Sequence, residues 1–248
     1  MQQQLTANSK RIESIDILRG IIMVIMVLDH VRDYFHADSL RFSPEDFSQT
    51  TSYIFFTRWI THFCAPVFVF LAGTSAFLSG QRKTKRQLSM FLLTRGLWLI
   101  IVELIIVNFA WSFNFKLPFI SLGVIWVIGI SMIVLAAVIH LQFKLGLVLG
   151  LVLVFGHNLL DNIHFDGSLW SVLHEPKIFQ IDETHYLRIT YPLLPWIGIM
   201  ILGYCFGRLY TRDFTTERRK RWLLIMGTGA IAMFIFVRLI NIYGDPSP

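Results

Sequence analysis

The chain has 248 residues, 54% of them hydrophobic and only 15% charged, where an ordinary soluble domain carries about 25% charged residues. With 22 Phe and 7 Trp, this composition excludes a disordered chain, a coiled coil and a disulfide scaffold, and it selects a polytopic membrane protein over a soluble enzyme. The net charge of +6 comes from short basic runs between apolar segments, which fits positive-inside loops rather than nucleic-acid binding.

A polar N-terminal stretch, residues 1–15, precedes seven apolar segments at 16–35, 53–79, 88–111, 118–140, 143–160, 190–210 and 221–243. Each approaches the ~20 residues a helix needs to cross a bilayer. The first has a short apolar core, Ile21 to Leu28, with Asp16 and Arg19 before it and Asp29, His30, Arg32 and Asp33 after it. Such a helix is too polar to stand alone in lipid, and the pattern predicts that other helices enclose it or that it lines a wet cavity. The second segment holds Pro66, which can kink a helix. The fifth is the shortest and carries Gly146 and Gly150 at GxxxG spacing, a pattern that lets helices approach closely. Cys64 and Cys205 lie inside apolar segments without ligand spacing.

Loop charges predict the orientation. Basic runs at 82–86 and 218–221, with Lys10, Arg11 and Lys144, fall on one side of seven spans, while the 161–189 loop on the other side is acidic. The positive-inside rule then places the N-terminus in the cytoplasm and the 161–189 loop outside. The predicted fold is all-α, a polytopic transmembrane helix bundle of about seven spans, forming one membrane-embedded domain over 1–248.

The densest constellation of reactive groups lies on the first helix. Arg19 and His30 are eleven residues apart, close to three turns, so they share a face and lie roughly 16 Å apart along the axis. Arg19 can hold a phosphate or carboxylate through charge-assisted hydrogen bonds. His30 can act as general base or nucleophile, and Asp33, one turn on, can orient its ring. The blander reading is that Asp16 and Arg19 form a local ion pair and that Asp29 to Asp33 mark the water interface. On the second segment Arg58 and His62 are four apart and face the same way, as pocket residues or as an interfacial pair. Arg95 and Glu103 are embedded in the third segment and each needs a partner from another helix. The remaining histidines show no convincing ligand spacing, so no metal site is expected.

The stretches RIESIDILRG with MVLDH, THFCAPVFVFLAGTSAFL, LLTRGLWLIIVE and YPLLPWIGIMILGY, in that order, resemble the heparan-alpha-glucosaminide N-acetyltransferase catalytic domain family. More distantly, Asp16, Leu18, Arg19 and His30 are similar to the opening of the acyltransferase-3 family of sugar O-acetylases. The resemblance implies a membrane-bound acetyltransferase in the inner membrane. It would carry an acetyl group from cytoplasmic acetyl-CoA to a sugar or glycan acceptor on the outer side. It implies a histidine as base or transient acetyl carrier; the matching positions are His30, by the first-helix pattern, and His36, by a loop position. Arg19 and Arg95 would face the CoA phosphates, with Asp16, Arg58, His62 and Glu103 as further pocket residues and Asp33 beside the histidine. It also implies helices beyond Pro248, so the chain is expected to be truncated relative to the family. Two other readings of the same buried charges stay open: an ion- or proton-coupled transporter, and a non-catalytic membrane subunit.

Overall fold

The computed structural model describes residues 12–37, 41–165 and 167–241. Residues 1–11 of the N-terminal stretch, Asp38, Asp166 and the 242–248 tail lie outside them. The chain divides into two compact units, 1–71 and 72–248.

The first unit contains α1 (Glu13–Phe35), α2 (Ser52–Thr61) and the opening turns of α3 (Cys64–Gly80). Helix α2 begins where Thr51 accepts a hydrogen bond from the Ile54 amide at 3.4 Å, which satisfies one of the orphan N–H groups of its first turn. His62 and Phe63 form a turn between α2 and α3. Pro66 has no N–H for the His62 carbonyl, and the turn at His62–Phe63 interrupts the Ser52–Gly80 helical run at that point, where a proline kink falls.

The second unit contains the rest of α3, then α4 (Lys85–Ile101), a π-helical turn (Val102–Val107), α5 (Asn108–Ser112), β1 (Phe119–Leu122), α6 (Val124–Val138), α7 (Phe143–Gly156), α8 (Ser168–Leu173), β2 (Lys177–Gln180), β3 (Tyr186–Ile189), α9 (Leu193–Phe206) and α10 (Thr216–Ile240). A capping box opens α4: the Thr84 side chain accepts from the Gln87 amide, and the Gln87 side chain accepts from the Thr84 amide. Helix α4 packs on α6, α6 on α9, and α9 on α7. The α4–α6 contact is close because Gly96 and Gly129 face each other; a Cβ on Gly96 would stand 2.6 Å from the Gly129 carbonyl oxygen.

Five helical runs among the described residues are long and apolar enough to cross a membrane: Ser52–Gly80, Lys85–Ser112, Phe143–Leu160, Leu193–Tyr210 and Thr216–Ile240. Two of the seven expected segments fall short of that measure. Helix α1 is long enough but too charged, and α6 is shorter because strand β1 takes the first residues of its apolar segment. The all-helical expectation also needs amending. Strand β3 lies between β1, which it meets in parallel register (Phe119 opposite Tyr186), and β2, which it meets antiparallel (Gln180 opposite Tyr186).

Candidate active site

Within the first unit, two stripes of α1 matter. Ile15, Ile22, Asp29 and His36 recur every seven residues, about 20° short of two full turns, so they form one line along the helix. Ile15 and Ile22 are buried, and Asp29 and His36 are partly covered. Arg19 and His30 lie on a different line; Arg19 is partly covered and His30 is exposed. Asp16 and Arg19 form an ion pair at 3.3 Å. The His30 ring directs Nδ1 at the Met26 carbonyl oxygen, 3.0 Å away. Donation from Nδ1 selects the tautomer whose lone pair is on Nε2.

Asp29 is the hub of this unit. It accepts hydrogen bonds from Arg32 Nη2 and from the Thr61 hydroxyl at 2.7 Å, and Arg58 Nη1 stands 3.5 Å away. Arg32 also bonds Asp33 at 3.1 Å. Its side chain is only 8% exposed, and its Nε and Nη1 are buried without a protein partner. Arg58 donates from Nε to Glu45 Oε1 at 3.2 Å, and His62 Nε2 approaches the same oxygen at 3.1 Å. His62 Nδ1 lies 2.9 Å from the Arg58 carbonyl. A chain of alternating carboxylates and basic side chains therefore runs from Asp33 through Arg32, Asp29, Arg58 and Glu45 to His62. Arg58 and His62 were expected in the pocket and Asp33 beside the histidine, where it bonds Arg32; Asp29, Arg32, Glu45 and the neighbouring Thr61 were not expected there. The signal for Asp29 is in the sequence: it stands seven residues beyond Ile22 on the line of Ile15.

The second unit has its own buried polar cluster. Glu103 is 4% exposed and lies in the π-helical turn. Its Oε1 accepts from the Gly123 amide at 3.1 Å, at the start of α6, where amide groups lack intrahelical partners. Its Oε2 is buried without a protein partner. Glu103 thus finds its partner on another helix, but that partner is the end of a helix rather than a cation. Asn108 joins the cluster: its side chain donates to the Ser121 carbonyl at 3.1 Å and accepts from the Ser121 amide at 2.6 Å, as a strand neighbour would. Arg95 is exposed on α4 and stacks over Phe91 of the same helix, 4.9 Å from the ring centre. Among the described residues, no three His, Cys, Asp or Glu side chains gather as a metal site.

A mostly helical chain with five apolar runs of membrane-spanning length and buried charge networks defines a multi-pass membrane protein. The family model described as heparan-alpha-glucosaminide N-acetyltransferase, catalytic, matches residues 11–239. The chain belongs to that family of membrane acetyltransferases. No curated protein and no solved structure matches it.

Proposed function

We propose that this chain transfers an acetyl group from cytoplasmic acetyl-CoA to a sugar or glycan acceptor on the outer side of the cell's inner membrane. The observation that carries this reading is the family match, which spans residues 11–239 and so includes every candidate residue. The ends of α1 suit the two halves of the task. Arg19 is a fixed cation suited to CoA phosphates, with Arg95 as a second, and Asp16 holds Arg19 by its ion pair.

His30 or His36 is the proton acceptor. In direct transfer, the imidazole takes the proton of the acceptor hydroxyl or amine as that atom bonds to the thioester carbonyl carbon. The C–S bond breaks, and the CoA thiolate leaves and recovers a proton from the imidazolium. In the covalent variant the imidazole nitrogen itself bonds the acetyl carbon, CoA leaves, and the acceptor displaces the histidine. The His30 tautomer, with its lone pair on Nε2, fits either route. Asp33 lies one turn beyond His30. Arg58, His62 and Glu103 are assigned to the pocket lining.

The test is CoA release from acetyl-CoA by the purified chain in lipid, with and without glucosamine, for the parent, His30→Ala and His36→Ala. Release in the parent that falls at least 100-fold in one alanine variant identifies an acetyltransferase and its histidine. Release unchanged in both variants removes His30 and His36 from the mechanism, and no release from the parent overturns the reading.

A further inference from the structure

Acetyl transfer makes no use of the basic stretch between α9 and α10. From Gly207 to Arg221 the chain carries six cations, Arg208, Arg212, Arg218, Arg219, Lys220 and Arg221, against two carboxylates, Asp213 and Glu217. Among the described residues, no carboxylate forms an ion pair with any of the six. Like charges crowded in this way repel one another, and salt or an anionic partner relieves the repulsion. The positive-inside rule asks for cations near helix ends but does not ask that they be held in place. Here three of them are.

Arg208, in the tight helical turn Gly207–Tyr210 that follows α9, lies over Phe143 at the start of α7, 4.7 Å from the ring centre. Two residues on, Tyr210 is covered by Arg219 of α10 at 5.4 Å, and Arg218 covers Phe214 at 5.1 Å. A guanidinium laid on a ring spends its face and keeps its in-plane N–H donors, the edge that forms paired bonds to phosphate. Helix packing sets up the arrangement. Gly150 of α7 lies against Ile201 and Leu202 of α9, and Gly198 of α9 lies against Leu153 and Val154 of α7. The two helices therefore run antiparallel, and the first residue of α7 meets the turn that ends α9. All of these residues belong to the second unit.

Apolar surface begins where the cations stop. Trp222, Leu224, Ile225 and Met226 of α10 are exposed, and no residue of that helix is buried. On α7, Leu145 and Val148 are exposed just beyond Phe143. A phosphate held at Arg208 and Arg219 therefore has bare apolar helix beside it. A soluble phosphate compound uses the cations and leaves that surface uncovered, whereas an amphiphile uses both. We propose that the corner where α7, α9 and α10 meet binds an anionic phospholipid. Its headgroup phosphate sits on Arg208 and Arg219, and its acyl chains run along the apolar surface of α10.

Native mass spectrometry of the full chain, released from detergent after titration with phosphatidylglycerol or phosphatidylcholine, tests this. The parent binds its first phosphatidylglycerol roughly tenfold tighter than its first phosphatidylcholine. Each cation beside a headgroup is worth roughly fivefold in affinity, so the Arg208→Gln, Arg219→Gln double variant binds phosphatidylglycerol roughly 25-fold more weakly. Arg208→Lys, Arg219→Lys keeps the charge and recovers roughly fivefold or more of that loss. Arg82→Gln, Arg86→Gln removes the same charge from the same end of the unit, where Phe77 of α3 meets Gly207. Those two cations are not laid on rings, and their loss weakens binding by less than about threefold. Four results overturn the lipid site: a parent indifferent to the headgroup, equal losses in the two glutamine variants, a lysine variant as weak as its glutamine counterpart, or displacement of the bound lipid by inorganic phosphate or acetyl-CoA. None of these readouts needs the chain to turn over a substrate, so the lipid site and the acetyltransferase reading stand or fall separately.

Discussion

Asp29 shows how much a single side chain can organise. Its carboxylate serves Arg32, Thr61 and Arg58, and Arg32 is too deeply buried to be solvated if that partner is lost. Removing one partner of a buried pair costs about 3–5 kcal/mol, because the other charge stays desolvated. Here Asp33 still takes Arg32 Nη2 at 3.1 Å. Asp29→Asn should therefore destabilise the chain by about 2–3 kcal/mol. Thr61→Val, which removes one neutral donor, should cost about 1 kcal/mol. Unfolding in detergent, followed by helical circular dichroism, measures both. An Asp29→Asn variant as stable as the parent would show that Arg32 is paired by Asp33 alone. This hub escapes a reading by sequence neighbours, which groups Asp29 with the charges that mark the water interface. Its place is set by a seven-residue line and by Thr61, 32 residues distant, and the second of these cannot be read from the sequence.

At the scale of elements, the apolar segments were legible and their small interruptions were not. Hydrophobic runs locate α3, α4, α7, α9 and α10 because each buries or exposes apolar surface over several turns. The sheet escapes because its strands are four residues long and β1 pairs with β3 across more than sixty residues of chain, leaving no local period to detect. Close helix contacts were legible only in part. The sequence singles out Gly146 and Gly150, yet a Cβ on Gly146 would meet only Val138 at 3.8 Å, an ordinary contact. At Gly150 the nearest atom is the tip of Leu202, 2.9 Å away, which can swing aside. The unforgiving positions include Gly73, where a Cβ would overlap the Met200 carbonyl, and Gly96 and Gly129, where a Cβ would strike the facing backbone carbonyl at 2.6 and 2.7 Å. Gly96→Ala and Gly129→Ala should each cost about 1–3 kcal/mol by forcing α4 from α6. Gly146→Ala should be neutral or slightly stabilising. Thermal unfolding of the three variants in one detergent gives the order, and a Gly146→Ala variant worse than the other two would contradict the helix contact.

At the scale of the molecule, the open question is how many times the chain crosses, and α6 decides it. Its 15 residues extend about 22 Å at 1.5 Å each, short of a hydrocarbon core of ~30 Å. A lone helix of that length would leave its ends mismatched with lipid. Yet α6 is packed by both α4 and α9 and buries Trp126, Val127, Gly129, Ser131, Leu135 and Ala136. Its first turn is capped by Glu103 rather than by headgroups. A helix enclosed by protein need not match the bilayer by itself, because its exposed backbone ends meet side chains instead of lipid tails. We therefore expect α6 to cross, which puts three crossings between the basic 82–86 run and the acidic loop and places those two on opposite sides. Cysteine labelling reads this directly, since Cys64 and Cys205 are buried and should stay silent. In intact cells an impermeant maleimide should label Glu183→Cys, while Gln81→Cys should react only after the membrane is opened. Labelling of both from outside would mean that α6 stops short and two helices cross between them. Labelling of Gln81→Cys alone would invert the orientation that the positive-inside rule predicts.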